Sequence, residues 1–250
     1  MRTVPLIIAH RGESFDAPEN TLAAFDLAWQ RGDDAIELDV HTTADERVVV
    51  CHDETLERTG RQSLNISSSL WASLDSIDVG RWKDESWKGQ RLPLLENVLD
   101  QMPAGKTVFV EIKPAQATAD AVVRLLRTDR WRGVDVRLIT FHADVARSLK
   151  QQLPHHKTYW LVETDPQESS DQPPLSPAQM IQTAVSIGAN GLDIADGSWL
   201  TAKAVAEFRR ARLEVYVWTV DDPARCRVLA SIGVDGITTN RAAWIRSQIF

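Results

Sequence analysis

The chain has 250 residues, of which 43% are hydrophobic and 25% charged, a composition typical of a globular protein with a substantial core and a length usual for one α/β barrel. Its formal net charge of −7 and its lack of a basic stripe argue against nucleic acid or an anionic membrane as the main partner. They do not argue against a phosphate-bearing small molecule, because a local cation can reverse the field inside a site.

Cysteine usage and hydropathy bear on the cellular compartment. The two cysteines, Cys51 and Cys226, lie far apart and in no metal-binding spacing, which fits a reducing environment. The apolar run ahead of His10 is too short for the core of a signal peptide, and no stretch approaches the length of a membrane span. We therefore expect a cytoplasmic protein without stable membrane association. Its oligomeric state is left open.

Short apolar runs rich in β-forming residues recur along the chain, as expected for strands covered on both faces. Nine strands are predicted: Val4–Ala9, Ala35–Val40, Val48–His52, Val108–Ile112, Val136–Phe141, Thr158–Val162, Gly191–Ile194, Val215–Val220 and Gly236–Thr239. Amphipathic helices are predicted between most of them: Thr21–Arg31, Ala117–Arg127, Asp144–Gln152, Pro177–Ile187, Ala202–Ala211 and Pro223–Ile232. This alternation is typical of parallel βα units in a barrel or a doubly wound sheet.

A (β/α)8 barrel of the TIM type, which the chain length suits, would be irregular between its second and third strands. Only a short link separates Val40 from Val48, so no helix fits there. Nine strand candidates also exceed the eight strands of a regular barrel, and the sequence does not tell which one lies outside. The Pro-, Ser- and Gln-rich run Asp165–Pro177 is predicted to be a loop, because the alternation resumes after it.

A long irregular segment follows the third predicted strand. Residues 54–99 contain three tryptophans, and short helices are predicted near Ser69–Ser76 and Leu94–Gln101. Insertions between barrel strands usually lie over the active-site end. We therefore expect one barrel domain spanning residues 1–250, with an insertion or cap over approximately residues 54–100.

Acidic and apolar side chains alternate in the second predicted strand. Because alternate strand residues share a face, Glu37 and Asp39 project together, while Ile36, Leu38 and Val40 face the helix layer. Two carboxylates side by side inside a barrel repel each other unless a cation or a proton is present. Hard oxygen ligands suit Mg²⁺, Ca²⁺ or Mn²⁺. The alternative, a solvated strand edge, agrees poorly with the buried character of the neighbouring strands.

The fourth predicted strand repeats this alternation near its end, where Glu111 and Lys113 share one face. Glu111 could complete a three-carboxylate site, and Lys113 could offer a positive charge to a phosphate oxygen. A simple internal Glu–Lys ion pair explains the same two residues equally well. At this point the sequence leaves both interpretations open.

Two histidines stand at strand ends where barrel active sites form. His10 is followed by Arg11, whose planar guanidinium suits bidentate phosphate recognition. His52 ends a later predicted strand beside Asp53. Phosphodiester cleavage needs one proton removed from the nucleophile and one delivered to the leaving alkoxide, and two imidazoles suit these tasks. The other histidines are expected to be peripheral, at a helix start or exposed: His41, His142, His155 and His156.

Together these motifs resemble the ordered signature of glycerophosphodiester phosphodiesterases of the bacterial cytoplasmic type. The matching segments span nearly the whole chain: His10–Gly12, Pro18–Thr21, Glu37–Val40, His52–Asp53, Leu92–Glu96, Glu111–Lys113, Trp218–Val220 and Gly233–Asn240. The resemblance implies a barrel similar to that of phosphoinositide-specific phospholipases C, with a small insertion after the second histidine. One departure is Asp221, where Asn is common in the family.

The resemblance also implies roles for individual residues. The acid–base pair would be His10 and His52. The ligands of a divalent cation would be Glu37, Asp39 and Glu111. Contacts to the phosphate or the substrate would come from Arg11, Lys113 and Trp218, and hydrogen-bonding support from Glu19.

The implied reaction is metal-dependent hydrolysis of a glycerophosphodiester to sn-glycerol 3-phosphate and an alcohol. The cation would be Mg²⁺ or Ca²⁺, with Mn²⁺ as an alternative. Open points are the alcohol, which histidine is the acid, and whether water attacks directly or a cyclic phosphate forms first. Two competing functions are cleavage of an intact or lysophospholipid, helped by an apolar surface on the Trp-bearing insertion, and non-catalytic sensing. The sensor is disfavoured, because both histidines and all three carboxylates are present.

Overall fold

A computed structural model describes residues 4–114, 116–163 and 175–250 of the chain. The described residues form nine strands: β1 (Leu6–Ala9), β2 (Ala35–Thr42), β3 (Val48–Val50), β4 (Thr107–Ile112), β5 (Asp135–Thr140), β6 (Lys157–Val162), β7 (Gly191–Ala195), β8 (Glu214–Trp218) and β9 (Gly236–Thr239). Most of their residues are buried, as the continuous apolar runs predict.

Eight of these strands are parallel and close into a barrel. Their order is β1, β9, β8, β7, β6, β5, β4 and β2, and the pairing of β1 with β2 completes the ring. The predicted (β/α)8 barrel is therefore confirmed. The extra strand is β3, which pairs antiparallel with β2 through Val40 and Val50. A short link cannot contain the crossover that a parallel partner needs, so the chain turns back as a hairpin.

Several predicted strand ends extend beyond the ladder. β3 ends at Val50, so His52 lies in the following loop rather than in the strand. β8 ends at Trp218, two residues before the predicted end. β1 begins at Leu6, the first residue with a partner on β9, and Val4 is exposed. Cys51 and Val220 still donate backbone hydrogen bonds to Asp39 and Thr238, so the chain stays beside the sheet for one or two residues past these strand ends.

The helices follow most of the barrel strands. The described ones are α1 (Leu22–Gln30), α2 (Glu57–Gly60), α3 (Trp71–Leu74), α4 (Leu95–Asp100), α5 (Gln116–Leu126), α6 (Ala143–Gln152), α7 (Pro177–Ile187), α8 (Ala202–Arg210), α9 (Pro223–Ile232) and α10 (Ala242–Ile249). The side chains of Thr21, Ser176 and Asp222 accept hydrogen bonds from first-turn amides, as N-cap residues do. The sequence analysis did not predict α10, whose Ala242 and Ile245 are fully buried.

Two apolar layers hold the barrel. The outer layer lies between the sheet and the helices, and it includes Ile36, Leu38 and Val40, as strand parity predicts. The inner layer fills the amino-terminal half of the barrel with these side chains: Leu6, Ile8, Ala35, Phe109, Ile139, Tyr159, Leu161 and Tyr216. The ring of Tyr216 lies 5.1 Å from that of Phe109 and 4.9 Å from that of Tyr159. These three rings, here called the aromatic plug, close the amino-terminal half of the barrel interior.

The segment between β3 and β4 has a small core of its own. Its buried side chains are Val49, Cys51, Leu56, Ile66, Leu74, Ile77, Val79, Leu92 and Leu94. Trp71 packs against this cluster, and the indole of Trp82 donates to the Val79 carbonyl at 2.9 Å. At least these two tryptophans therefore serve the segment itself rather than an outward apolar surface.

Two sequence expectations concern segments rather than residues. Most of the predicted loop Asp165–Pro177 falls on residues 164–174, which lie outside the described part of the chain, and Pro177 begins α7. Throughout residues 4–114, 116–163 and 175–250, no helix combines the length and apolarity that a bilayer crossing requires.

The contact of β7 with β8 generates a stability prediction. A Cβ atom on Gly191 would lie 2.2 Å from the carbonyl oxygen of Glu214, which faces it in register. Gly191→Ala should therefore lower the free energy of unfolding by about 1–3 kcal/mol, the usual cost of overpacking. Gly133→Ala is the control, because its Cβ would meet no atom within 4 Å, and it should stay within about 0.5 kcal/mol. Equal urea midpoints for the two variants would contradict this packing.

Candidate active site

A cavity of about 210 Å³ opens at the carboxyl ends of the barrel strands. Seven of the nine predicted site residues line it: His10, Arg11, Glu37, His52, Glu111, Lys113 and Trp218. The other two, Glu19 and Asp39, bind side chains of this set directly. These residues lie on or directly after the barrel strands β1, β2, β4 and β8 and in the loops after β1 and β3, so they meet where parallel strands place their functional ends.

Three carboxylates lie together at one side of the cavity. β2 and β4 are in register with Asp39 beside Glu111, and Glu37 is two residues earlier on the same face. One oxygen from each carboxylate lies within 4.8 Å of the others, and all three residues are buried. Burial and the neighbouring Asp39 raise the pKa of Glu37 well above its usual value and that of Glu111 to about 7. Oxygen donors that repel one another fit a hard divalent cation.

Two cations partly compensate this cluster. The Nζ atom of Lys113 lies 2.8 Å from Asp39 Oδ1 and also donates to Glu111. Arg11 donates its backbone N–H to Glu37 at 3.0 Å, and its Nε lies 3.3 Å from Asp39 Oδ2. Burial acts to raise the pKa of Asp39, but Lys113 and Arg11 hold it below its usual range. Three carboxylates against two cations leave one formal negative charge, which a divalent cation would reverse.

The Glu111–Lys113 ion pair that the sequence offered as an alternative is thus present within the site. Asn20 adds a further contact, because its Nδ2 donates to Asp39 Oδ2 at 2.7 Å. Asn20 adopts a positive φ of 56°, a conformation that Asn tolerates better than most residues. From the sequence, Asn20 and Thr21 are both candidates to cap the first helix; Thr21 is the N-cap, and the contact of Asn20 with the carboxylates was not predicted.

His10 is held by residues from the far end of the chain. Its Nδ1 lies 2.7 Å from Asn240 Oδ1, and Asn240 Nδ2 donates to Asp221 Oδ2 at 2.7 Å. Since a carboxylate only accepts, this contact orients the Asn240 amide and makes Nδ1 of His10 the donor. The Nε2 atom is then left facing Glu37 Oε2 at 3.9 Å. Burial and the charge of Arg11 lower the pKa of His10 to about 4, so the ring is neutral at pH 7.

A second group of contacts holds His52. Its Nδ1 lies 2.7 Å from Asp53 Oδ1, and Arg58 donates to the other oxygen of Asp53 at 2.7 Å. Glu19 accepts from both Arg58 and Arg11 at 2.9 Å, and so connects the surroundings of the two histidines. This position agrees with the supporting role that the resemblance implies for Glu19.

His41 differs from its expectation. It was expected to be peripheral, but it is buried, and its Nε2 lies 3.0 Å from the backbone oxygen of His52. Strand parity places His41 on the same face as Asp39, because the two residues are two positions apart on β2. The antiparallel pairing of β3 with β2 brings the loop of His52 beside it, and the sequence pattern did not reveal this pairing.

The opposite wall of the cavity is largely apolar. Trp218 contacts Phe141 edge-on with ring centres 5.7 Å apart, and its indole N–H donates to the backbone oxygen of Asp193 at 3.2 Å. Ile139 and Leu161 line the same side. Asp193 was not among the predicted site residues, although an acidic residue flanked by apolar ones in a predicted strand is the same signal that identified Glu37.

Comparisons with known proteins agree with this geometry. The model of the "Glycerophosphoryl diester phosphodiesterase family" matches residues 10–243. A glycerophosphodiester phosphodiesterase of Caldanaerobacter subterraneus subsp. tengcongensis is 30% identical over 239 residues, which cover 94% of this chain and 93% of the relative.

Solved structures have the same fold. A phosphodiesterase of Oleispira antarctica, in complex with the product sn-glycerol-3-phosphate, has a TM-score of 0.87 and 26% identity, covering 98% of this chain and 97% of its own. A glycerophosphodiester phosphodiesterase of Agrobacterium tumefaciens strain C58 has a TM-score of 0.78 and 31% identity, covering 97% of this chain and 99% of its own.

The surroundings of His10 predict its titration. In chelator-treated protein, the imidazole should titrate with a midpoint near pH 4, because burial and Arg11 disfavour the charged ring. A folded-state pKa below the unfolded value means that the unfolded chain binds the proton first. This residue therefore lowers stability as the pH falls from about 6.5 toward 4. An NMR titration, with the His10→Gln spectrum for assignment, measures the midpoint, and a value near 6.5 would refute the expectation.

Proposed function

This chain belongs to the glycerophosphoryl diester phosphodiesterase family of phosphoric diester hydrolases, and we propose that it hydrolyses small glycerophosphodiesters to sn-glycerol 3-phosphate and an alcohol. The observation that carries the proposal is the meeting of two histidines, two cations and three carboxylates at one small cavity. The product bound to the Oleispira antarctica phosphodiesterase supports the glycerol part of the substrate.

Arg11 and Lys113 are suited to hold the phosphodiester. Both line the cavity, and each already contacts the carboxylate cluster that would otherwise repel an anion. A divalent cation held by Glu37, Asp39 and Glu111 would add Lewis-acid polarisation of a phosphoryl oxygen. With that ion the cluster and its two cations have one formal positive charge, which matches the single negative charge of a phosphodiester. Mg²⁺ and Ca²⁺ suit these ligands, and Mn²⁺ is also compatible.

The two histidines are suited to opposite proton transfers. His10 is neutral at pH 7, with Nδ1 engaged by Asn240, so its Nε2 can accept a proton from the nucleophile. The Nδ1 of His52 is engaged by Asp53, which orients the ring and leaves Nε2 to deliver a proton to the leaving alkoxide. We therefore propose that His10 is the base and His52 the acid. The same assignment serves attack by water and attack by a glycerol hydroxyl.

The cavity favours a small diester over a lipid. Its volume of about 210 Å³ must accommodate the phosphate and both flanking groups, and ligand pockets for larger molecules usually exceed about 300 Å³. An acyl chain would have to lie outside it. Two tryptophans of the insertion are committed to its own packing. Faster turnover of lysophosphatidylcholine than of glycerophosphocholine would favour the phospholipid alternative instead.

Replacing either histidine tests the catalytic assignment. His10→Ala and His52→Ala should each lower kcat on glycerophosphocholine by about 10²–10⁴-fold, because each removes one proton transfer. The control is His155→Ala, an exposed histidine between α6 and β6, at the opposite end of the barrel. Thermal unfolding should confirm that all three variants fold. Near-normal turnover in His10→Ala would overturn the scheme.

Removal of metal tests the cation. Chelation should abolish hydrolysis of a panel of glycerophosphodiesters, and Mg²⁺, Ca²⁺ or Mn²⁺ should restore it. Binding of the ion should also raise the Tm, because it relieves repulsion among the carboxylates.

Glu111→Gln should weaken metal binding by more than about tenfold, because the loss of even an outer-shell partner of a metal site costs at least that much. Glu57→Gln removes an exposed carboxylate of α2 as the control. A hydrolysis rate that changes neither on chelation nor on addition of any divalent ion would contradict the proposal.

A further inference from the structure

One ionisable group of the cavity has no part in the proposed chemistry. Asp193 lies on β7, opposite the phosphate-binding side, and lines the cavity together with Trp218 and Leu161. Its register partners are Leu161 on β6 and Tyr216 on β8, both members of the inner layer, so its side chain points into the barrel.

One oxygen of this buried carboxyl group has no hydrogen-bond partner among the described residues. Asp193 is 2% exposed, and within the described part of the chain its Oδ1 atom has no hydrogen-bond partner. It is also not part of the carboxylate group that could hold a metal ion. Burying a polar group without a hydrogen bond is costly, so such a group in a cavity wall points to a partner that arrives with a ligand.

The position of Asp193 is the closed end of the cavity. Tyr216, its neighbour in register, belongs to the aromatic plug that blocks the amino-terminal half of the barrel. Trp218 lies two residues further along β8, toward the mouth, and its indole N–H binds the Asp193 backbone oxygen. A group that enters past the histidines and Trp218 therefore ends at this carboxyl.

From this geometry we propose that Asp193 hydrogen-bonds the terminal hydroxyl of the glyceryl group, the one farthest from the phosphate, and thereby makes the enzyme select substrates by their polyol end. This inference rests on the proposed function, because it assumes a glyceryl phosphodiester in the cavity. Among the parts of such a substrate, the glyceryl group is constant while the alcohol varies in size. A closed end suits the constant part, and the open mouth suits the variable one.

The chemistry of the group agrees with a hydroxyl ligand. Burial, and to a lesser extent the charge of Glu111, raise the pKa of Asp193 to about 8, so the acid is neutral at pH 7. A neutral carboxyl can both donate and accept, as a hydroxyl does, and it does not repel the nearby phosphate. Trp218, Ile139 and Leu161 offer apolar contacts to the carbon chain. A quaternary or primary ammonium group is the competing occupant, since aromatic rings and a carboxylate also bind cations.

Two diesters with the same leaving group isolate this contact. Glycerol 3-(4-nitrophenyl phosphate) carries both glyceryl hydroxyls, whereas 2-hydroxypropyl 4-nitrophenyl phosphate lacks the terminal hydroxyl but keeps the 2-hydroxyl, so attack by water and attack by that hydroxyl are open to both. The measured quantity is the ratio of their kcat/KM values in the wild type, in Asp193→Leu and in Asp193→Asn. Leu removes the polar atoms at similar volume, whereas Asn keeps hydrogen-bonding capacity. The ratio should fall by roughly 5- to 100-fold in Asp193→Leu, the cost of one unmade hydrogen bond to a buried group, and stay largely intact in Asp193→Asn.

The outcomes separate this proposal from its alternatives. A ratio unchanged in Asp193→Leu overturns it, whether or not both rates fall. A selective loss with glycerophosphocholine relative to glycerophosphoglycerol assigns the site to the ammonium group instead and also overturns it. The Tm of Asp193→Leu should not fall, because an unpartnered buried carboxyl has been removed, whereas a purely structural Asp193 would make this variant less stable.

A binding measurement keeps the two proposals distinguishable. In the presence of Mg²⁺, calorimetry compares sn-glycerol 3-phosphate with propyl phosphate in the wild type and in Asp193→Leu. If the wild type hydrolyses neither diester, the proposed function fails. The hydroxyl contact is then still supported by a preference for sn-glycerol 3-phosphate that Asp193→Leu removes, and it is overturned by equal preference in both proteins.

Discussion

Mutual repulsion among three buried carboxylates is the constraint that shapes the mouth of this barrel. Glu37, Asp39 and Glu111 converge because β2 and β4 are neighbours in parallel register. Such a cluster is stable only beside positive charge, and Lys113 and Arg11 provide it from the strand end and from the first loop. The same two cations then lie where an anionic phosphate can meet them. The charge balance that permits the fold is therefore also the feature that suits the site to its substrate.

The two histidines are oriented by different parts of the fold. His10 is bound by Asn240, which follows the last strand, and so its orientation depends on closure of the barrel between β1 and β9. His52 lies in a loop after the hairpin strand β3, where Asp53 and the insertion's Arg58 orient it. Glu19 joins Arg58 to Arg11 and so links the insertion to the first βα loop. The insertion thus helps to orient His52 as well as packing its own core.

Asp193 shows a different use of burial. The carboxylates on β2 and β4 are compensated by cations in the protein itself, whereas the Oδ1 of Asp193 has no partner among the described residues. A buried oxygen without a hydrogen bond lowers the stability of the folded protein. At the closed end of the cavity the same oxygen can bind the substrate, which would complete its hydrogen bond. The cavity then divides into a charged half for the phosphate and an apolar half with one polar contact for the polyol.

The sequence by itself determined the alternation of strands and helices and the facing of each strand, and its resemblance to a family indicated the barrel. Period-two alternation is a local property, so the inward projection of Glu37 and Asp39 follows from the residues around them. Most of the predicted site residues follow in the same way, with their roles taken from the family resemblance. Strand ends were less predictable, because apolar residues such as Val220 continue the pattern beyond the ladder.

Only the tertiary structure decided which strand lies outside the barrel and which distant residues complete the site. The antiparallel pairing of β3 buries His41, and the contact between His10 and Asn240 joins residues from opposite ends of the chain. The burial of Asp193 likewise depends on its register partners, Leu161 on β6 and Tyr216 on β8. These features arise from closure of the barrel and from long-range charge compensation. Neither leaves a periodic signal in the sequence, because the residues concerned meet only when the whole ring of strands has formed.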